Sequence, residues 1–280
     1  MTFQISRVSL HAVAAAVAAL GFAGSSHAAT SWTENFGTCT NGTKISEFGA
    51  YSSYDPCGSG TSSNVRVGAV ATNGSTVITG QTWSWGTGGL GVVNSNESSS
   101  PAGPHAIDSY NGIDALVLNF TSLASLSSLT IGWNGYDNPT SVTTGSTTVN
   151  YKDSDLSVYA WTGASTGPSS YDKSTSGWTL IGDYGNVGFK TNNTQAIATS
   201  VYSSYWLISA LGGSSGNSCG TSSQTSDTYD KCVDAFKLLS IAGTTFTPPP
   251  PGVPEPGSLA LLGLGAAGLL AARRKSIARH

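Results

Sequence analysis

Between Ala29 and Thr247 no stretch of the chain sustains a helical period; short β-prone runs alternate instead with clusters of Ser, Thr, Gly and Asn. A helix needs a long segment with apolar side chains recurring every third or fourth residue, whereas a strand needs only a few residues in alternation, so this punctuation points to an all-β fold. The candidate strands are "NVRVGAVA", "STVITG", "ALVLNF", "SLTIGW", "STTVNY", "DLSVYAW", "WTLIGDY", "VYSSYWLISAL" and "AFKLLSIAG". In "DLSVYAW", Leu156, Val158 and Ala160 fall on one face and Asp155, Ser157 and Tyr159 on the other; in "ALVLNF", Leu116, Leu118 and Phe120 share a face, with Asn119 opposite. Period-2 alternation of this kind predicts half-buried strands. About nine short strands in roughly 215 residues predict one β-sandwich of jelly-roll type over residues 29–247, its edges blunted by polar side chains.

The two ends read differently from this body. Residues 1–28 carry a lone Arg7, an uncharged Ala-rich run and then Ser26-His27-Ala28, the small-x-small pattern of a signal-peptidase site. This predicts a secretory signal peptide removed before Ala29, and hence export. After the body, "PPPPGVPEPG" holds six of the eleven prolines. It predicts an extended polyproline II spacer, with residues 248–252 as linker. Residues 257–272 contain no charge. As a helix they would span about 24 Å against a hydrocarbon core of about 30 Å, a short single transmembrane segment. Arg273, Arg274 and Lys275 open a basic tail over 273–280 that would hold this end on the cytoplasmic side, with the body outside.

Export makes the cysteines legible. Four occur, Cys39, Cys57, Cys219 and Cys232, and an even number in an oxidising compartment reads as two disulfides. Three pairings are open. The local one, Cys39 with Cys57 and Cys219 with Cys232, is favoured because each bridge closes a loop of roughly 15–20 residues, worth about 3 kcal/mol in the chain-entropy model. No CxxC motif is present, which argues against a redox or zinc site. Residues 31–247 hold 14 acidic against 7 basic side chains. That surplus repels phosphate backbones, so no nucleic-acid partner is expected, while cation binding is permitted.

Motifs for catalysis are weak. "GTGGLG" (Gly86 to Gly91) imitates a dinucleotide fingerprint without a following helix, and "GASTG" and "GGSSG" imitate a nucleophile elbow without its strand-to-helix turn. His105 is the only histidine left between the two ends, which excludes a multi-histidine metal centre. No catalytic residue emerges, and a non-enzymatic protein without a resident cofactor is expected. Carboxylates are the remaining route to chemistry: Glu97, Asp108, Asp114, Asp137, Asp153, Asp155 and Asp234 could form a glycosidase pair or supply oxygens to calcium. Asp153 and Asp155 in "KDSD" are the candidate calcium ligands, though the string lacks the glycine and distal glutamate of an EF-hand loop. Trp83 and Trp85 in "QTWSWGTGG" alternate onto one face beside a turn and form a candidate platform for stacking on sugars.

Val253, Pro254, Glu255 and Pro256, then the apolar run 257–272, then Arg273, Arg274 and Lys275 occur in the order of a C-terminal sorting signal. In these three parts residues 253–280 resemble the PEP-CTERM family; the additional "SIARH" is a slightly longer end than is common there. The resemblance implies an inner-membrane intermediate, processing by an exosortase and delivery to the cell surface or extracellular matrix of a Gram-negative bacterium that makes exopolysaccharide and biofilm. The strings "GGLGVVNSNESSSPAGPHAIDSYNGIDALVLNF", "IGW", "DSDLSVYAW", "YWLISA" and "DAFKLLSI" are similar to the exosortase-dependent surface protein families, for which no catalytic residues carry over. The expected partners are therefore signal peptidase, exosortase, the membrane through the C-terminal helix before processing, and exopolysaccharide.

Overall fold

The structure, a computed structural model, describes residues 29–47, 50–51, 60–61, 64–73, 76–97, 105–109, 112–134, 141–144, 147–150, 154–164, 166–188, 193–211, 234–247 and 262–268. Its strands are β1 (Ala29–Asn35), β2 (Gly60–Thr61), β3 (Val65–Asn73), β4 (Thr76–Ser84), β5 (Leu90–Asn94), β6 (Ile107–Asp108), β7 (Ile113–Asn134), β8 (Ser141–Thr144), β9 (Thr147–Asn150), β10 (Ser154–Trp161), β11 (Trp178–Val187), β12 (Thr194–Ala196), β13 (Ser203–Ala210) and β14 (Ala235–Phe246). The chain divides into two units, Ala29–Phe246 and the two ends. All of these strands lie in the first unit.

The 22-residue strand β7 organises that unit. It contains both "ALVLNF" and "SLTIGW", which the alternation alone separates. Its first part pairs with β3 and β13, and its second part pairs with β14 and β12. Where the partners change, Thr121, Ser122 and Leu123 are exposed. Further on, Ala242 faces Ser128 while the next residue, Gly243, faces Leu126, so Ser127 is an extra residue on β7. A bulge of this kind shifts the side-chain phase by one. Before it Ala124 and Leu126 point into the core; after it Leu129 and Ile131 do. Gly243 sits against the bulge, where an added Cβ would lie 2.1 Å from the Ser125 carbonyl oxygen.

This double use of β7 corrects the expected jelly-roll sandwich. The strand order is β11-β10-β13-β7-β3-β4-β5-β14-β1-β2, with a further pairing of β7 to β14. Strands β7, β3, β4, β5 and β14 thus close on themselves as a barrel-like ring within one continuous antiparallel sheet. The β class stands, but the main sheet is barrel-like rather than a jelly-roll sandwich, because one bulged strand pairs with both ends of the strand order; among the described residues the other sheet is the hairpin of β8 and β9.

Inside lies one large apolar cluster that includes Phe36, Leu116, Leu118, Leu129, Ile131, Leu156, Trp206 and Phe236. Trp206 is fully buried, and its Nε1–H donates to the carbonyls of Ala124 (3.1 Å) and Ser203 (3.2 Å). The expectation of half-buried strands needs a second correction. Val70, Ala115, Val117 and Leu207 form another apolar cluster on the far face of β3, β7 and β13, against Tyr51, Tyr159, Tyr171 and Trp178. Ser157, opposite the core face of β10, is buried and donates to Asp183 Oδ1 at 2.6 Å. These strands are therefore covered on both faces.

Residues 1–28, the linker 248–252, Val253, Pro254, Glu255, Pro256, Arg273, Arg274 and Lys275 lie outside the described residues. In the tail, residues 262–268 are helical. Among the described residues no helix is long and apolar enough to cross a membrane, so the expected span over 257–272 is not shown.

Candidate functional site

Antiparallel pairing brings three carboxylates, two on strands and one on a turn, to the place where β5 and β6 end and β7 begins. Asn94, the last residue of β5, opens a turn: its Oδ1 accepts from the Asn96 amide at 2.9 Å and its own amide donates to Glu97 Oε2 at 3.3 Å. Side-chain oxygens of Asx residues favour such local bonds to the backbone, and this one fixes Glu97 over the strand end. Asp108 ends β6, paired with Ala235 of β14. Asp114 stands near the start of β7, paired with Ala71 of β3. One carboxylate oxygen from each of Glu97, Asp108 and Asp114 lies within 4.8 Å of the other two.

Two of the three carboxylates are buried. Asp114 is 0% exposed and Asp108 4% exposed. Asp114 Oδ1 accepts from the Asn94 side-chain amide at 3.1 Å, whereas Oδ2 is buried without a hydrogen-bond partner. Burial first, and then the negative charges of Asp108 and Glu97, push the Asp114 carboxyl well above the usual carboxylate range. Burial likewise raises Glu97. Desolvation and like charge both penalise the ionised form, and here they act together.

Aromatic residues gather around His105. Its ring centroid is 6.1 Å from that of Trp83 and 5.8 Å from that of Trp85. Lys237 of β14 places its ammonium 4.2 Å from the Trp85 ring centre and 4.4 Å from that of Trp133. Burial lowers the Lys237 pKa to about 8. His105 has a positive φ of 33°, and its carbonyl approaches Gly91 so closely that a Cβ there would lie 1.7 Å from the oxygen. The last glycine of "GTGGLG" is thus a point of close approach between chain segments, and Gly86–Gly88 form a 3-10 turn between β4 and β5.

The sequence candidates are distributed unevenly over this structure. Trp83 and Trp85 do come together, half-buried and both against the His105 ring, with Lys237 over Trp85. Asp155 is buried at the start of β10, its amide donating to Asp234 Oδ1 at 2.7 Å, while Asp153 lies outside the described residues. Asp234 also joins Ser109, through amide-to-carbonyl and amide-to-hydroxyl bonds of 3.2 Å each. Cys39 is buried and disulfide-bonded; Cys57, Cys219 and Cys232 lie outside the described residues. Among the described residues, the carboxylates brought together are Glu97, Asp108 and Asp114. They were legible only as acids, because no short spacing links them.

Residues 252–275 match the family model described as the PEP-CTERM protein-sorting motif. No curated protein matches the chain, and no solved structure matches it.

Proposed function

We propose that the sorting motif at residues 252–275 is this chain's address, and that the β-sheet unit ahead of it is an exported, non-enzymatic surface or matrix protein associated with biofilm or exopolysaccharide. The observation that carries the reading is the match itself, which implies an exosortase as processing partner and delivery to the cell surface. The order of parts supports it. The last strand ends at Phe246, so the motif follows the sheet and takes no strand from it.

The burial of the carboxylate cluster supports a non-catalytic role for the body. Asp108 and Asp114 are withdrawn from solvent. A glycosidase instead presents its two carboxyl groups across a cleft that admits a sugar. The lone body histidine is equally withdrawn, packed between tryptophans and 4% exposed.

Mass spectrometry of the mature C-terminus, in producing cells with and without the exosortase, tests the reading. The expected result is loss of the C-terminal apolar and basic tail only where the exosortase is active. A tail that ends at His280 in both strains overturns it.

A further inference from the structure

Asp114 presents an unsolved electrostatic demand inside the fold. Its Oδ2 is buried without a hydrogen-bond partner; the Asn94 side chain and the Asp108 backbone support the carboxylate, against the like charges of Asp108 and Glu97. An unpaired buried polar atom costs roughly 1–3 kcal/mol, and more when it carries charge. A proton on Asp114 would turn one oxygen into a donor toward a neighbouring carboxylate but would leave the charges of Asp108 and Glu97 uncompensated. A cation among the three carboxylates compensates all of them.

The donor set selects the kind of cation. All three ligands are hard carboxylate oxygens, with no histidine nitrogen or cysteine sulfur in the group, which disfavours zinc. Oxygens within 4.8 Å of one another can share a calcium ion, whose bonds are about 2.3–2.6 Å. Magnesium sheds its waters reluctantly, which disfavours it at carboxylates as buried as Asp108 and Asp114.

We propose that Glu97, Asp108 and Asp114 form a calcium site that clamps the ends of β5 and β6 to the start of β7. The site stands on the geometry of the sheet and is independent of the sorting motif. Glu97, at the half-buried rim, would be the last ligand to close. Asn94 is the positioning residue, since it bonds both Glu97 and Asp114.

Calcium titration of the chelator-treated full-length chain by calorimetry, paired with thermal melts, tests this. The expected result is saturable binding of one calcium per chain, with Kd in the range of about 0.1–1 mM typical of extracellular calcium modules, and a rise in Tm that EDTA reverses. Asp114→Asn keeps the shape and removes the charge; it should lose calcium binding and the calcium-dependent Tm rise while keeping the wild-type circular dichroism spectrum. Should that variant misfold, Glu97→Gln in the turn should weaken calcium binding about tenfold with the fold intact. Absence of saturable binding, a Tm indifferent to calcium and EDTA, or unchanged affinity in both variants would mean that Oδ2 is met by water alone, and overturns the proposal.

Discussion

Lys237 and Gly91 show how much one side chain, or its absence, decides in this fold. The Lys237 ammonium is held among indole rings, which attract a cation, in a site whose burial penalises that cation and lowers its pKa to about 8. In the unfolded chain the same group titrates near 10.5. Between these values the unfolded chain binds more protons than the folded one, so stability should rise with pH from about 8 to 10.5 and level off on either side. Melting curves across that window check this: Lys237→Met should flatten the rise, and parallel curves for the two proteins would refute it. Gly91 is constrained sterically, since any Cβ would collide with the His105 carbonyl. Gly91→Ala should cost about 3 kcal/mol, read from the urea midpoint. The sequence hints at Gly91 only as one glycine among 35; the partner that makes it necessary arrives from a different segment.

Strand β7 explains why some elements were readable and others were not. Alternation exposes "ALVLNF" and "SLTIGW" as strands, because each keeps one phase. Their union is hidden, since Ser127 shifts the phase and the exposed Thr121, Ser122 and Leu123 resemble a turn. Strand β5 is hidden for the opposite reason: all five residues are buried, so no alternation survives. Strand β1 escapes because its first three residues are exposed and polar or small. The carboxylate cluster inherits this difficulty, because Glu97, Asp108 and Asp114 meet only through the ends of β5, β6 and β7. If the bulge sets the phase, deleting Ser127 should turn Leu129 and Ile131 away from the core and abolish the near-UV circular dichroism of the folded state. On the same strand, Leu129→Ala should cost about 2–5 kcal/mol. Leu123→Ala, at a residue 45% exposed, should stay within about 0.5 kcal/mol in the same urea titration.

Across the whole molecule, addressing and folding are assigned to different parts of the chain. The sorting motif occupies residues 252–275, and the strands end at Phe246. Glu255→Ala should therefore block processing, leaving a tail-bearing form in the membrane fraction on immunoblots, while the melting temperature of the body stays unchanged; a shifted melting temperature would show that the parts are not separable. Disulfide formation adds a compartmental condition: Cys39 is buried and bonded, so reduction should lower Tm, as melts with and without reductant would record. The pairing of β1 with β14 has one more consequence. Ala29, the first residue of β1, sits opposite Phe246, the last residue of β14. The sheet unit's two ends are thus neighbours, and its order of strands in space does not depend on where the chain is cut. A circular permutant that joins Phe246 to Ala29 through a short glycine-rich link, with new ends opened between β8 and β9, should build the same ring.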